Sequence, residues 1–412
     1  ASSAGGSAFL AAGRPFDITI RAVAHSSGDD GDDDGLPDNH ASADPAGNAN
    51  LSDNATTDAF GGGPTLSVAL SGELVAGPSG ASDPGLSGVS SVSGFSAGQT
   101  TVSARYNEVA SISLFADIGG SYLGAAAPVI GRSGFVGRFH PERFTAQPAD
   151  GSFEAQCNNF TYTGQEHSYS LEPQVRITPL GYTDSGPAPV LNNYRQDWQK
   201  LTANDVTRDY PSQDSGNALE VSVAPKTPSL APLGDGRMDF VFGDDDYTYT
   251  KTPASKLNPF DSDLLVQITS IDDGDAQLTA AQNPVEITPA GVEIRYGRLH
   301  LDNTFGPETT NLTVPMQAQY WDNGRFTLNV DENCWAYDTD NDVTVDDSGI
   351  SGGTSSANSV SDTLVAGEPM SGSKLVLSAP GSEKTGEAVA TFEVADWLKD
   401  DFDGDGGLGR AH

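Results

Sequence analysis

Residues 297–334 read GRLHLDNTFGPETTNLTVPMQAQYWDNGRFTLNVDENC, and this stretch decides the fold. It is entered through Val292-Glu293-Ile294-Arg295-Tyr296, where apolar and polar residues alternate. The chain turns at Asn303-Thr304-Phe305-Gly306-Pro307 and is extended again from Leu312 to Tyr320. Asp322-Asn323-Gly324 marks a tight turn, and Arg325 to Val330 reads as the returning strand. Period-two patterning broken by Asn-Gly and Gly-Pro is the mark of antiparallel β-structure. The stretch holds no grouping that looks like a nucleophile, a base or a phosphate cradle. A β-built scaffold is expected here, not an enzyme.

Working outward, the whole chain is 412 residues, long for one ordinary β-domain, so two to four modules are expected. Hydrophobic residues make up 36%, while Gly (47) and Pro (25) are plentiful, which fits short strands joined by turn-rich loops. Lys+Arg number 21 against 57 Asp+Glu, a formal net charge of −36. That balance argues against a nucleic-acid partner and against anionic membrane surfaces, both of which need basic patches. The acid excess has three readings: a solvated surface, calcium-loaded loops, or a face for a basic partner. No apolar run approaches the ~18 residues of a membrane helix, so membrane insertion is not expected. The start, Ala1-Ser2-Ser3-Ala4-Gly5-Gly6, is not a signal peptide and reads as a mature chain or an excised fragment. The two cysteines sit in no Cys-x-x-Cys pattern and leave the compartment open.

Taken in order, Phe16 to Ala24 is an alternating strand, and Ser26 to Asn54 is a long loop carrying Asp29 to Asp34. Further strands are expected at Thr65 to Leu74, Thr100 to Tyr106 and Ala110 to Ala116, with the Gly/Ser tract of 78–98 as a loose connector. A second section follows, with strands at Tyr169 to Ile177, Leu219 to Val223, Arg237 to Phe242 and Leu264 to Ile271. It closes on Tyr296-Gly297-Arg298-Leu299-His300, an echo of Val136-Gly137-Arg138-Phe139-His140 that argues for related modules. The third section adds strands at Lys374 to Ser378 and Ala388 to Val394, and one helical turn at Val394 to Lys399. The expected fold is all-β: tandem immunoglobulin-like sandwiches spanning 1–140, 141–300 and 301–412, with long acidic loops.

Several blocks recur in a recognisable order. Gly137-Arg138-Phe139-His140-Pro141-Glu142-Arg143-Phe144 precedes Cys157-Asn158-Asn159-Phe160-Thr161-Tyr162-Thr163-Gly164-Gln165. Tyr296 to Leu299, Val314 to Trp321 and the Cys334 segment follow, and Trp397-Leu398 leads into Asp401 to Gly406. This order resembles the large C-terminal region of MshQ-like proteins, encoded with the mannose-sensitive haemagglutinin type IV pilus of Gammaproteobacteria. The resemblance implies an exported, pilus-associated protein of the Gram-negative cell surface, with no known catalytic residues. The family pattern continues past the Asp-Gly-rich segment into a strand rich in aromatic and basic residues, whereas this chain stops at Leu408-Gly409-Arg410-Ala411-His412. A sheet edge open to a neighbouring subunit's strand is therefore an expectation. The lamin-G-like lectin module of some relatives is absent, so sugar binding is not carried over.

Given the export that the resemblance implies, a disulfide between Cys157 and Cys334 would close a loop of ~180 residues and contribute about 5 kcal/mol. Two separate thiols are the alternative. Asp401, Asp403 and Asp405 place hard oxygen ligands at alternate positions, a pattern suited to Ca²⁺, although the bidentate Glu of an EF-hand is missing. A solvated acidic tail competes with that reading, and for Asp29 to Asp34 and Asp338 to Asp342 a plain loop is preferred. His140 and His300 read as structural. Trp321, Trp335, Tyr320 and Tyr337 read as core before they read as a sugar platform. The function expected is an extracellular structural or adhesive subunit of a pilus or filament, partnered by its subunits or by itself. A calcium-dependent carbohydrate-binding adhesin, meeting a surface glycan, is the alternative. A secreted hydrolase with two facing carboxylates is the third.

Overall fold

In Phe16–Arg21 alternate side chains point the same way, so Ile18 is buried while Asp17 and Thr19 stay exposed. The strand pairs antiparallel with Gln99–Tyr106, Ile18 opposite Val102, and Leu86–Ser87 adds to the other side of that partner. A second sheet runs Ser91–Val92, Val68–Ala76, Ser111–Asp117, Ile130–Arg132. Ile18, Ala104, Leu70 and Val92 meet between the two sheets as a small apolar core. The structure, a computed structural model, describes residues 3–39, 48–62, 66–120, 122–124, 128–402 and 407–409. It is all-β, a tandem of immunoglobulin-like sandwiches joined by long acidic loops.

The second unit carries the largest core. Its main sheet has the order Arg143–Ala149, Gln174–Leu180, Met238–Val241, Ser229–Pro232, all antiparallel. Val175, Ile177, Met238 and Phe240 point inward from it, against Val266, Ile268 and Ile287 of a facing sheet. The same core continues into Tyr106, Val109, Ala110 and Ile112, so the first and second units share one apolar interior. The third unit opens with Gly297–Leu301, Met316–Asp322 and Arg325–Leu328 as consecutive antiparallel neighbours. Asn323 and Gly324 take left-handed backbone, with φ of 50° and 81°, as the tight turn between the last two requires.

Three expectations need correction. The 78–98 tract is not merely a connector: Leu86–Ser87 and Ser91–Val92 are strands, and Val92 is 2% exposed in the core. Glycine and serine there supply the turns, and the few apolar residues between them suffice to pair. The expected strand Leu312 to Tyr320 is two strands. Leu312–Thr313 pairs with Val376–Leu377, and Met316–Asp322 pairs with Gly297–Leu301. Pro315 lies between them and has no N–H for a ladder, so the chain changes partner there. The turn at Val394 to Lys399 is a 3₁₀ turn over Asp396–Leu398.

Packing also sets one protonation state. His167 lies in the strand Glu166–His167 and is ringed by Phe153, Tyr247 and Tyr249, stacking on Tyr249 at 6.0 Å. Burial pushes its imidazole down to about 4 from the usual 6.5. The neutral ring is the folded form, so its contribution is intact above pH 6.5 and is lost as pH falls toward 4. We expect this one group to remove about 3 kcal/mol across that window. Urea titrations of His167→Phe should show a correspondingly shallower fall than those of the parent chain over the same pH range.

Candidate functional site

Both echoing segments, 136–140 and 296–300, lie where the chain passes from one unit to the next. At the first crossing Val136–Gly137 pairs with Ser111–Asp117, and Phe139–His140 then pairs in parallel with Leu10–Ala11. Arg138 between them is buried and pairs with Asp275 of the second unit at 2.5 Å, where Lys200 also binds. Glu108, buried as well, accepts the N–H groups of Val109, Asn192 and Asn193. Burial raises the Glu108 pKa, and those donors oppose the rise.

The second crossing is more heavily built. Glu293–Arg295 pairs in parallel with Phe160–Tyr162, and one residue later the chain enters Gly297–Leu301. A Cβ on Gly297 would fall 2.4 Å from the Tyr162 ring, so only glycine fits that approach. Cys157, Phe160 and Tyr162 lie between the Arg143–Ala149 and Gln174–Leu180 strands of the second unit, yet they pack into the core of the third with Leu299, Met316 and Phe392. Arg295 lies between the Phe160 and Tyr320 rings, 4.4 and 4.8 Å from their centroids. Its guanidinium donates to Glu293, Asn329 and Asp331. Beside it, Cys157 and Cys334 are joined as a disulfide. The carboxylate of Glu332 accepts the N–H groups of Cys334 and Trp335, both at 2.8 Å.

On the other side of Tyr296, four charged side chains converge. The Tyr296 hydroxyl donates to Asp400 Oδ1 at 2.8 Å, and Lys256 reaches the same oxygen at 3.0 Å. Arg298 stacks on Phe326, 3.7 Å from the ring centroid, and lies 3.8 Å from Asp400 Oδ2. The Lys251 amine donates to the carbonyls of Gly297 and Trp397 and faces the Tyr296 ring. Burial pushes this amine down to about 7, against the pull of Asp400. The neutral form has two N–H bonds for its two carbonyl acceptors. Lys256 and Lys251 of the second unit thus bond to Asp400, Gly297 and Trp397 of the third, and these contacts hold the two units in one orientation.

The sequence-predicted residues fall in different places. Cys157 and Cys334 lie at this joint. Asp401 follows Asp400 there, and Gly409 N–H donates back to the Asp400 carbonyl at 2.8 Å, closing the acidic segment. Asp403 and Asp405 lie outside the described residues. In the Asp29 to Asp34 loop, Asp30 is buried and accepts from the N–H groups of Asp34 and Gly35, with His25 at 3.0 Å. Oxygens of Asp30, Asp32 and Asp34 lie within 4.8 Å of one another. Asp338 to Asp342 forms one helical turn whose carboxylates cap its own N–H groups. His140 Nδ1 is 2.8 Å from the Pro141 carbonyl, and His300 pairs with Asp302.

The four aromatics of the third unit do not form one platform. Trp321 meets Phe326 edge-on, Tyr320 lies under Arg295, and Trp335 stacks on Tyr337 beside Phe392. A cavity of about 610 Å³ lies in the first unit, lined by Ile18, Leu70 and Leu114, by Phe60, Phe95 and Tyr122, and by His25 and Asp29. Arg295, Lys251, Glu332 and Asp400 went unnoticed in the sequence. The one available signal was the repeated Gly-Arg pair, since Arg138 and Arg298 each face an aspartate of the next packed element.

Family models match along nearly the whole chain. The second domain of DUF6701 matches residues 1–107, the third 108–292 and the fourth 295–411. The boundary near 292–295 falls on the second crossing. The boundary at 107–108 falls inside the first sandwich, because Ser111–Asp117 pairs with Val68–Ala76. No curated protein matches the chain. Among the described residues, no helix is long and apolar enough to cross a membrane.

Two substitutions test the joint. Replacing Cys157 and Cys334 together by Ser should lower unfolding stability by about 4 kcal/mol, read from urea titration. Gly297→Ala should cost about 3 kcal/mol by driving a methyl group into Tyr162, with the disulfide still formed on thiol assay.

Proposed function

We propose, from the premise that this chain belongs to the DUF6701 family, that it is a non-catalytic structural subunit of a bacterial surface filament. The observation that supports this reading is the second crossing, where a disulfide, the stacked Arg295 and the Asp400 charge cluster fix two sandwiches to each other. Such a joint transmits force and orientation between modules. The disulfide suits an oxidising, extracellular setting, and the resemblance to MshQ-like proteins supplies the Gram-negative pilus as the assembly. Self-association would use open sheet edges. Phe16–Arg21 ends its sheet in the first unit, and is a place where a neighbouring copy could add a strand. Calcium bound by Asp401, Asp403 and Asp405 would stiffen the segment beside the Asp400 cluster.

A second reading is calcium-dependent carbohydrate binding. It is favoured by the first-unit cavity, whose aromatic residues Phe60, Phe95 and Tyr122 share one space with Asp29 and Gly35 of the acidic loop. Light scattering after size-exclusion chromatography, in calcium and then in EDTA, separates the two. Ordered oligomers or filaments seen by electron microscopy are expected of the structural subunit, and their loss in EDTA would assign calcium a part in assembly. A monomer indifferent to calcium would overturn the self-assembling form of the proposal. Binding to a glycan array by that monomer would establish the second reading in its place.

A further inference from the structure

The two halves of the disulfide are unequal. Cys157 is 3% exposed, enclosed by the core that includes Phe160 and Tyr162, whereas Cys334 is exposed at the surface. Exchange requires a thiolate to approach a sulfur along the S–S axis, so an external thiol can reach this bond only at Cys334. The sulfur that must then leave is that of Cys157. Glu332, itself 1% exposed, places Oε1 3.7 Å from this sulfur. The same oxygen is pinned by the N–H groups of Cys334 and Trp335, and the Tyr162 hydroxyl bonds to this carboxylate as well.

We infer that Glu332 guards the Cys157–Cys334 disulfide against thiol exchange, by setting a fixed negative charge beside the sulfur that must depart as thiolate. A dithiol reductant attacks Cys334 Sγ; a new S–S bond forms there, the old one breaks, and its electron pair leaves on Cys157 Sγ. The reductant's second thiol, as thiolate, then displaces Cys334, which takes a proton from water along with Cys157. The dithiol ends as a cyclic disulfide and both cysteines as thiols. The first step is the one opposed, because a leaving thiolate next to a carboxylate in a dry setting behaves as one of high pKa, and such groups leave slowly.

The other groups facing the sulfur do not cancel this effect. Arg295, which bonds to neighbouring Asp331, is engaged by Glu293 and Asn329 as well. The Asp331 carbonyl is 3.8 Å from the sulfur and adds to the negative field. The Asn158 amide donates to the sulfur at 3.8 Å, a long and neutral contact, and gives its shorter bond of 2.7 Å to that carbonyl. Glu332 is thus a positioning and screening residue, and the exposed disulfide behaves as a protected one.

The test is the rate at which dithiothreitol opens the bond in the folded full chain, followed by thiol alkylation and mass analysis. Glu332→Gln keeps an oxygen for the two N–H donors and removes the charge, exchanging the other oxygen for an amide NH2. At about pH 8 its disulfide should open about tenfold faster than that of the parent chain. Equal rates, or a slower variant, would overturn the inference. So would rates that climb with low urea, because the bond would then open only through local unfolding that the substitution had eased.

Discussion

A buried tyrosine hydroxyl donating to a buried carboxylate is the interaction on which this architecture rests. Tyr249 donates to Asp214, Tyr194 to Asp273, Tyr210 to Asp245 and Tyr296 to Asp400. Burial drives the pKa of all four tyrosines upward, so each stays a donor at any physiological pH. The aspartates then serve loops as well. Asp214 also accepts from the N–H groups of Gly216, Asn217 and Asp263, three backbone donors that no ladder satisfies. Short strands leave many such donors at their ends, and a carboxylate with two oxygens can collect several. Part of the acid excess is therefore interior fastening, not solvated surface.

The same device recurs where the units meet. Glu108 gathers three N–H groups at the first crossing, and Glu332 gathers two at the second. A charged pair also spans each crossing, Arg138 with Asp275 at the first and Lys256 with Asp400 at the second. Charges enclosed in this way are costly to separate, because removing one partner leaves the other unpaired in a dry site. No flexible linker stands between the units: at the second crossing only Tyr296 lies between one paired strand and the next.

Much of the fold was legible because strands are local patterns. Alternation in Phe16–Arg21 and the Asn323-Gly324 turn each follow from a few adjacent residues. The 78–98 tract misled because its pairing partners lie elsewhere: Val92 is core only because Val68 lies opposite it. The site was legible only at its cysteines and its repeated Gly-Arg pair. Lys251, Arg295 and Asp400 are ordinary residues in sequence, and their importance comes from contacts made across 46, 36 and 104 positions. Pairings at that range leave no local trace in a single sequence.

The disulfide also alters what would happen if the chain were pulled from its two ends. Its sulfurs are 177 positions apart, so the covalent path runs from Cys157 straight to Cys334. The intervening polypeptide, most of the second sandwich included, could not be drawn out while the bond held. Roughly 600 Å of contour length would be withheld from extension. Under tension the molecule would lengthen by yielding its first sandwich and the part of the third beyond Cys334, with the chain between the two cysteines carried through as an inextensible block.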